Sequence, residues 1–150
     1  RDFLRKMLWL MNDESGGLGW HAPEVIGEII HSIPPLADEF GPLLPHFVTE
    51  EPFEKGSCWA LGRIASDNPK LIEKHLAFLK TITRNPDPQI RGNAIWALSS
   101  LDIRTTGFGP TDHLEDSAPF RFYDFLSGEM RETTVGEWVK ICFDDTSLSR

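Results

Sequence analysis

Trp20, His21, Glu24 and Glu28 bring an indole, an imidazole and two carboxylates together near the front of the chain, with Asp13 and Glu14 just upstream. Those residue types could make an acid–base or metal cluster, but their spacing argues against it. Glu24 and Glu28 are one helical turn apart, an arrangement usually solvated, and no second histidine stands at ligand spacing. His31, His46, His75 and His113 are scattered. Ser57 and Cys58 are nucleophile types, yet they fall inside helical periodicity rather than on the sharp turn a hydrolase nucleophile needs. No glycine-rich phosphate loop follows a strand anywhere. The sequence therefore assigns no catalytic residue, no metal and no cofactor, and Arg91 reads as a structural partner for a carboxylate or carbonyl.

Composition narrows the partners further. The 150 residues carry a formal net charge of -8 and are 40% hydrophobic, ordinary for one folded domain or one elongated unit with an appendage. Nucleic acid is an improbable partner because phosphate backbones attract an excess of Lys and Arg, and no basic stripe occurs. Cys58 and Cys142 stand alone, without a disulfide framework or a zinc pattern, which fits a reducing cytoplasm. No apolar run approaches the roughly 20 residues of a membrane helix, and the start lacks a secretory pattern. The chain opens on Arg1 rather than Met, as a fragment would.

The elements that position these residues repeat. Trp59-Ala60-Leu61 and Trp96-Ala97-Leu98 are two copies of one triplet, 37 positions apart. Around them run Ser57, Ala60, Leu61, Ile64 and Ala94, Ala97, Leu98, Leu101, and 35 positions before the first set run Ala22, Val25, Ile26, Ile29. The i, i+3, i+4, i+7 spacing predicts three amphipathic helices, each starting near a proline (Pro23, Pro52, Pro88), with Asp87 as N-cap of the third. A second helix is expected before each. Segments 36–48 and 71–83 match at the same offset, pairing Leu43 with Phe78, Leu44 with Leu79 and Phe47 with Ile82. Segment 3–11 is their counterpart, with Leu8 and Trp9 in the places of Leu43 and Leu44. Repeats of this length are the mark of stacked helix pairs, with units of about 1–33, 34–68 and 69–103.

This pattern resembles the HEAT-repeat family, in the short bacterial form grouped with phycobilin-lyase-type repeats. Asp87-Pro88, Arg91, Ala94, Ala97, Leu98 and Leu101 carry the resemblance in the third unit, and Ala60-Leu61-Gly62 and Ile64 in the second. It covers about two thirds of the chain. The resemblance implies an all-α fold, an α-solenoid of three HEAT-like helix pairs; such repeats serve very different proteins, and the leading expectation is a noncatalytic module that binds a protein partner. It also opens an alternative, because HEAT-like folds occur in alkyl-base DNA glycosylases and in tetrapyrrole lyases.

After Leu101 the period stops. Residues 105–119 read as a connector with a short helical turn around 112–116. Residues 120–125 alternate polar and aromatic types before the turn residues Leu126-Ser127-Gly128, predicting a β-hairpin with 129–133. Thr134 and Glu137 have capping-box spacing ahead of a helix over 135–143. This small hairpin-plus-helix segment, 104–150, is expected to cap the apolar end of the third unit, or else to dock a partner.

Trp96 lies about 200° around its helix from Ala94, and Trp59 holds the same place in the second unit. Two readings follow. Either the two indoles pack between units or beneath the C-terminal segment, or they flank a shallow floor of the small residues Gly27, Gly62 and Ser99. In the second reading Trp20, His21, Glu24, Glu28, Trp59, Arg63 and Trp96 form a binding surface for a protein partner. The sequence leaves the oligomeric state open, with self-assembly a further alternative. The loop 12–19 is long enough to bind something, though a simple turn suffices.

Overall fold

Proline stands in the first turn of several helices of this chain. A computed structural model describes residues 1–12 and 19–144. It is mostly helical, with one two-stranded antiparallel sheet near the C-terminus. Helix α1 spans Asp2–Asn12 and α2 Ala22–Ser32, where Pro23 occupies the first turn and loses no hydrogen bond by lacking an N–H. Pro34–Leu36 form a 3-10 turn into the four-residue α3, Ala37–Phe40. There the expected helix over 36–48 gives way to a 3-10 segment, Gly41–Thr49. Pro42 and Pro45 supply the reason, since each removes a backbone donor that a continuing α-helix would use.

Helix α4 follows at Glu54–Ala65. The segment expected as one helix over 71–83 is two, α5 (Pro69–Lys74) and α6 (Leu76–Ile82), separated at His75. Helix α7 spans Pro88–Leu98, and Asp87 caps it by accepting a hydrogen bond from the Gln89 N–H at 2.8 Å. A short α8 (Ile103–Thr106) and a 3-10 turn (Pro110–Asp112) lead to β1 (Pro119–Asp124), β2 (Glu129–Thr134) and α9 (Val135–Phe143). In the hairpin turn Gly128 sits at φ +73, a left-handed conformation that costs glycine nothing. The Thr134 hydroxyl caps α9 by accepting from the Glu137 N–H at 3.2 Å.

Packing explains the sequence spacing. Helix α4 lies between α2 and α7, while α1, the 41–49 segment and α6 pack on α2, α4 and α7 in turn. The predicted stripes of the last two helices are buried throughout, from Ser57 and Ala60 to Leu98 and Leu101. In α2 the stripe is rotated slightly: Val25 is 38% exposed and Ile30 is buried in its stead. Trp9 is 62% exposed, whereas Leu44 is fully buried, so the expected equivalence of those two fails. Among the described residues no helix is long and apolar enough to cross a membrane.

Candidate functional site

Close approach of α2, α4 and α7 is possible because glycine faces each neighbour. A Cβ on Gly27 would lie 2.7 Å from the Ala60 Cα, and one on Gly62 only 2.3 Å from the Trp96 ring. These two small residues are therefore helix-to-helix contacts, not an open floor. Ser99, the third, is half-buried and donates its hydroxyl to the Trp96 carbonyl at 2.8 Å.

That packing decides the fate of the tryptophans. Trp96 is 7% exposed: it lies over Gly62, with Trp59, Phe125 and Trp138 around it at ring separations of 6.1, 6.4 and 6.4 Å. The expectation that it lines an open surface is corrected. A helix packed on several sides has no free face opposite its apolar stripe, and α7 is buried from Gly92 through Leu98. Trp59 is half-buried at the edge of the same cluster.

The remaining expected site residues lie on α2 and α4. Trp20 is 63% exposed in the turn before α2. His21 is exposed, with Nδ1 3.4 Å from the Glu24 carboxylate. Glu24 presses against the first turn of α4, where its Oε2 would be 2.4 Å from a Cβ at Gly56. Glycine lets the carboxylate reach the positive end of that helix. Its Oε2 is buried and, among the described residues, accepts no hydrogen bond. Glu28 takes two hydrogen bonds from Arg63, at 2.7 and 3.2 Å, and the guanidinium holds its carboxyl below the usual range despite partial burial. Arg63 is itself buried and stacks its guanidinium 4.1 Å from the Phe125 ring at the hairpin tip. Glu28, Arg63, Phe125, Trp96 and Trp59 thus form one chain of direct contacts across α2, α4, α7 and the hairpin.

Chemistry elsewhere is muted. Burial, with Glu54 nearby, pushes the Cys58 thiol up to about 12, so it stays protonated at neutral pH. Arg91 grips Asp116 with two hydrogen bonds of 2.7 and 2.9 Å and donates to the Asn85 and Pro86 carbonyls, which pins the connector to α7. Among the described residues no three His, Cys, Asp or Glu side chains converge as a metal site would need. Asp13 and Glu14, and nearly all of the 12–19 loop, lie outside the described residues.

Two features escape the sequence. Phe125 joins the tryptophan cluster although it follows the end of β1 and is out of phase with Phe120 and Phe122, so strand alternation does not place it there. A cleft of about 600 Å³, lined by Lys80, Arg84, Phe108, Asp112 and His113 among others, opens between α6 and the connector. It joins segments that lie apart in the sequence. No protein-family model matches the chain, and neither curated proteins nor solved structures give a significant match.

Proposed function

We propose that this chain is a noncatalytic interaction module, three HEAT-like helix pairs closed by the hairpin and α9, which binds a protein partner along the α2–α4 flank. The observation that carries this reading is the contact between side chains at equivalent repeat positions. Arg63 meets Glu28, its counterpart 35 positions earlier, and Trp59 meets Trp96, 37 positions later. Such contacts are what stacking of successive units in register produces. The flank then offers Trp20 just before α2 and Val25 on it, both exposed, with the Glu24 and Glu28 carboxylates on α2 and the half-buried Trp59 on α4. An exposed indole among charged groups is the usual composition of a recognition surface, because it buries a large area with few rotamers to freeze.

The test is capture from an extract of the source cells on immobilised protein. Trp20→Ala should abolish retention of the partner while leaving the thermal transition in place, since the ring is mostly solvated. Retention equal to wild type would remove the α2–α4 flank as the docking surface.

A further inference from the structure

The two edges of the hairpin are treated differently. On β1, Gln89 of α7 covers the backbone of Arg121: its Oε1 accepts the Arg121 N–H at 3.1 Å and its Nε2 donates to the Arg121 carbonyl at 2.7 Å. Those bonds establish that Arg121 directs its peptide groups away from β2. In an antiparallel ladder its partner Glu132 must then direct its own groups away from β1, and so must Met130, two residues along. The Val135 N–H to Ala118 carbonyl bond continues the alternate set of paired residues and agrees with this phase. Among the described residues nothing covers the Met130 and Glu132 peptide groups, and residues 129–132 are all exposed. An uncovered edge of this kind is a template for another strand.

Side chains add a second signal. Phe120 and Phe122 face inward, stacking on Trp138 at 5.0 and 4.6 Å. Tyr123 and Met130, a cross-strand pair, face outward and are 40% and 55% exposed. A solvated apolar pair beside an open edge asks for a cover.

We propose that the cover is a second copy of this chain, with β2 pairing antiparallel to β2 of its partner about a twofold axis at Met130. Charge selects both the occupant and the register. The phase of the free peptide groups permits axes centred on Met130, Arg131 or Glu132. An axis at Arg131 sets two arginines opposite each other, and one at Glu132 sets two glutamates opposite each other. At Met130 the two methionines meet, and Arg131 of each copy falls opposite Glu129 of the other, twice by symmetry. Those positions form non-hydrogen-bonded pairs, in which side chains approach most closely. Arg131 would then bridge Glu129 of the second copy and its own Asp124, to which it is bound at 2.8 Å. Two hairpins become one four-stranded sheet with Tyr123 and Met130 along its middle.

Sedimentation velocity on the purified chain tests this without reference to any other partner, so its outcome is separable from the α2–α4 reading. Wild type should pass from monomer to dimer as concentration rises toward millimolar. Met130→Pro removes an outward N–H that β1 does not use and should stay monomeric. Arg131→Glu sets like charges opposite at both symmetric positions and should weaken dimerisation by about tenfold or more. The exchange Glu129→Arg with Arg131→Glu restores opposite charges and should bring the dimer back. Should Met130→Pro disturb the hairpin, judged by near-ultraviolet dichroism of Trp138, the charge pair decides alone. A wild type that remains monomeric throughout, an Arg131→Glu variant that dimerises like wild type, or an exchange that fails to rescue would each overturn the proposal.

Discussion

Gly62 and Trp96 form a close contact beneath the hairpin, and that contact predicts a change of sign. A methyl group at position 62 would lie 2.3 Å from Trp96 Cε3 and 2.8 Å from Cδ2, where carbon atoms prefer about 3.5–4.0 Å. The ring would have to retreat by about 1.2 Å to reach the near end of that range, and Trp59, Phe125 and Trp138 leave it little room. Overpacking of this kind costs about 1–3 kcal/mol, against a gain of about 1 kcal/mol from replacing a helical glycine by alanine. Gly62→Ala should therefore destabilise the wild type by about 0–2 kcal/mol. Trp96→Ala alone should cost about 3–5 kcal/mol, a large share of the ~5–15 kcal/mol typical of a domain. Once the ring is gone the clash is gone too, and the methyl group returns its helical gain of about 1 kcal/mol. The same substitution then stabilises, and the double-mutant cycle carries a coupling of about 1–3 kcal/mol. Urea unfolding followed by far-ultraviolet dichroism on the four proteins measures it. Trp96→Leu, which also withdraws the six-membered ring, replaces alanine if that variant does not fold. A Gly62→Ala that stabilises both backgrounds equally would refute the packing argument.

Acid stability should carry the signature of Asp116. The Arg91 guanidinium holds its carboxyl below the usual aspartate range, so its contribution is complete above the ordinary value near 3.8 and is lost as pH falls through the lowered one. Asp116→Asn should flatten that part of the stability–pH curve, and an unchanged acid limb would count against the pair. Cys58 should resist iodoacetamide at neutral pH and react only once denaturant exposes it, because its thiol is buried and held protonated up to about 12. Above the ordinary thiol value of 9.0 the unfolded chain ionises Cys58 and the folded one does not, so this site should subtract stability between there and about 12. Stoichiometric labelling of the native protein would contradict both statements. Gln89→Ala should speed hydrogen exchange at the Arg121 N–H, which loses its acceptor; an unaltered rate would mean the β1 edge is protected by something else.

Local signals in the sequence were legible where one rule acted alone. Asp87, Thr134, Gly128 and the span Val135–Phe143 follow from capping and turn chemistry, and each is found in its expected role. Competition between rules hid the rest. Apolar spacing over 36–48 favours a helix, but Pro42 and Pro45 cannot donate, and the backbone settles into 3-10 turns. The candidate site misled for another reason. An indole away from the apolar stripe looks like an exposed anchor only if each helix has one neighbour, and α4 and α7 have several. Gly27 and Gly62 carried that information as small residues, but smallness alone does not distinguish a groove floor from a place where another helix presses in. The partner of Arg63 at Phe125 lies 62 positions away, in a segment where the apolar helical spacing of the earlier chain does not recur.

Polar links between α2, α4 and α7 do different work from the glycines. Glu28–Arg63 joins α2 to α4, His31–Asp67 joins α2 to the turn after α4, and Lys55–Asp87 joins α4 to the cap of α7. At least one member of each pair is well solvated, with 48%, 41% and 57% of the Glu28, Asp67 and Lys55 side chains exposed. Exposed pairs contribute only about 0–1 kcal/mol each, so they are a minor source of cohesion. Their leverage is on alignment. Sliding α4 by one turn, about 5.4 Å, would strand Arg63 from Glu28 in a setting where the guanidinium is buried, and in one direction would set Arg63 or Ile64 in place of Ala60 against Gly27. The glycines permit the close approach, and the buried cation penalises displacement in either direction, so the spacing of the helices and their axial register are set by different residues.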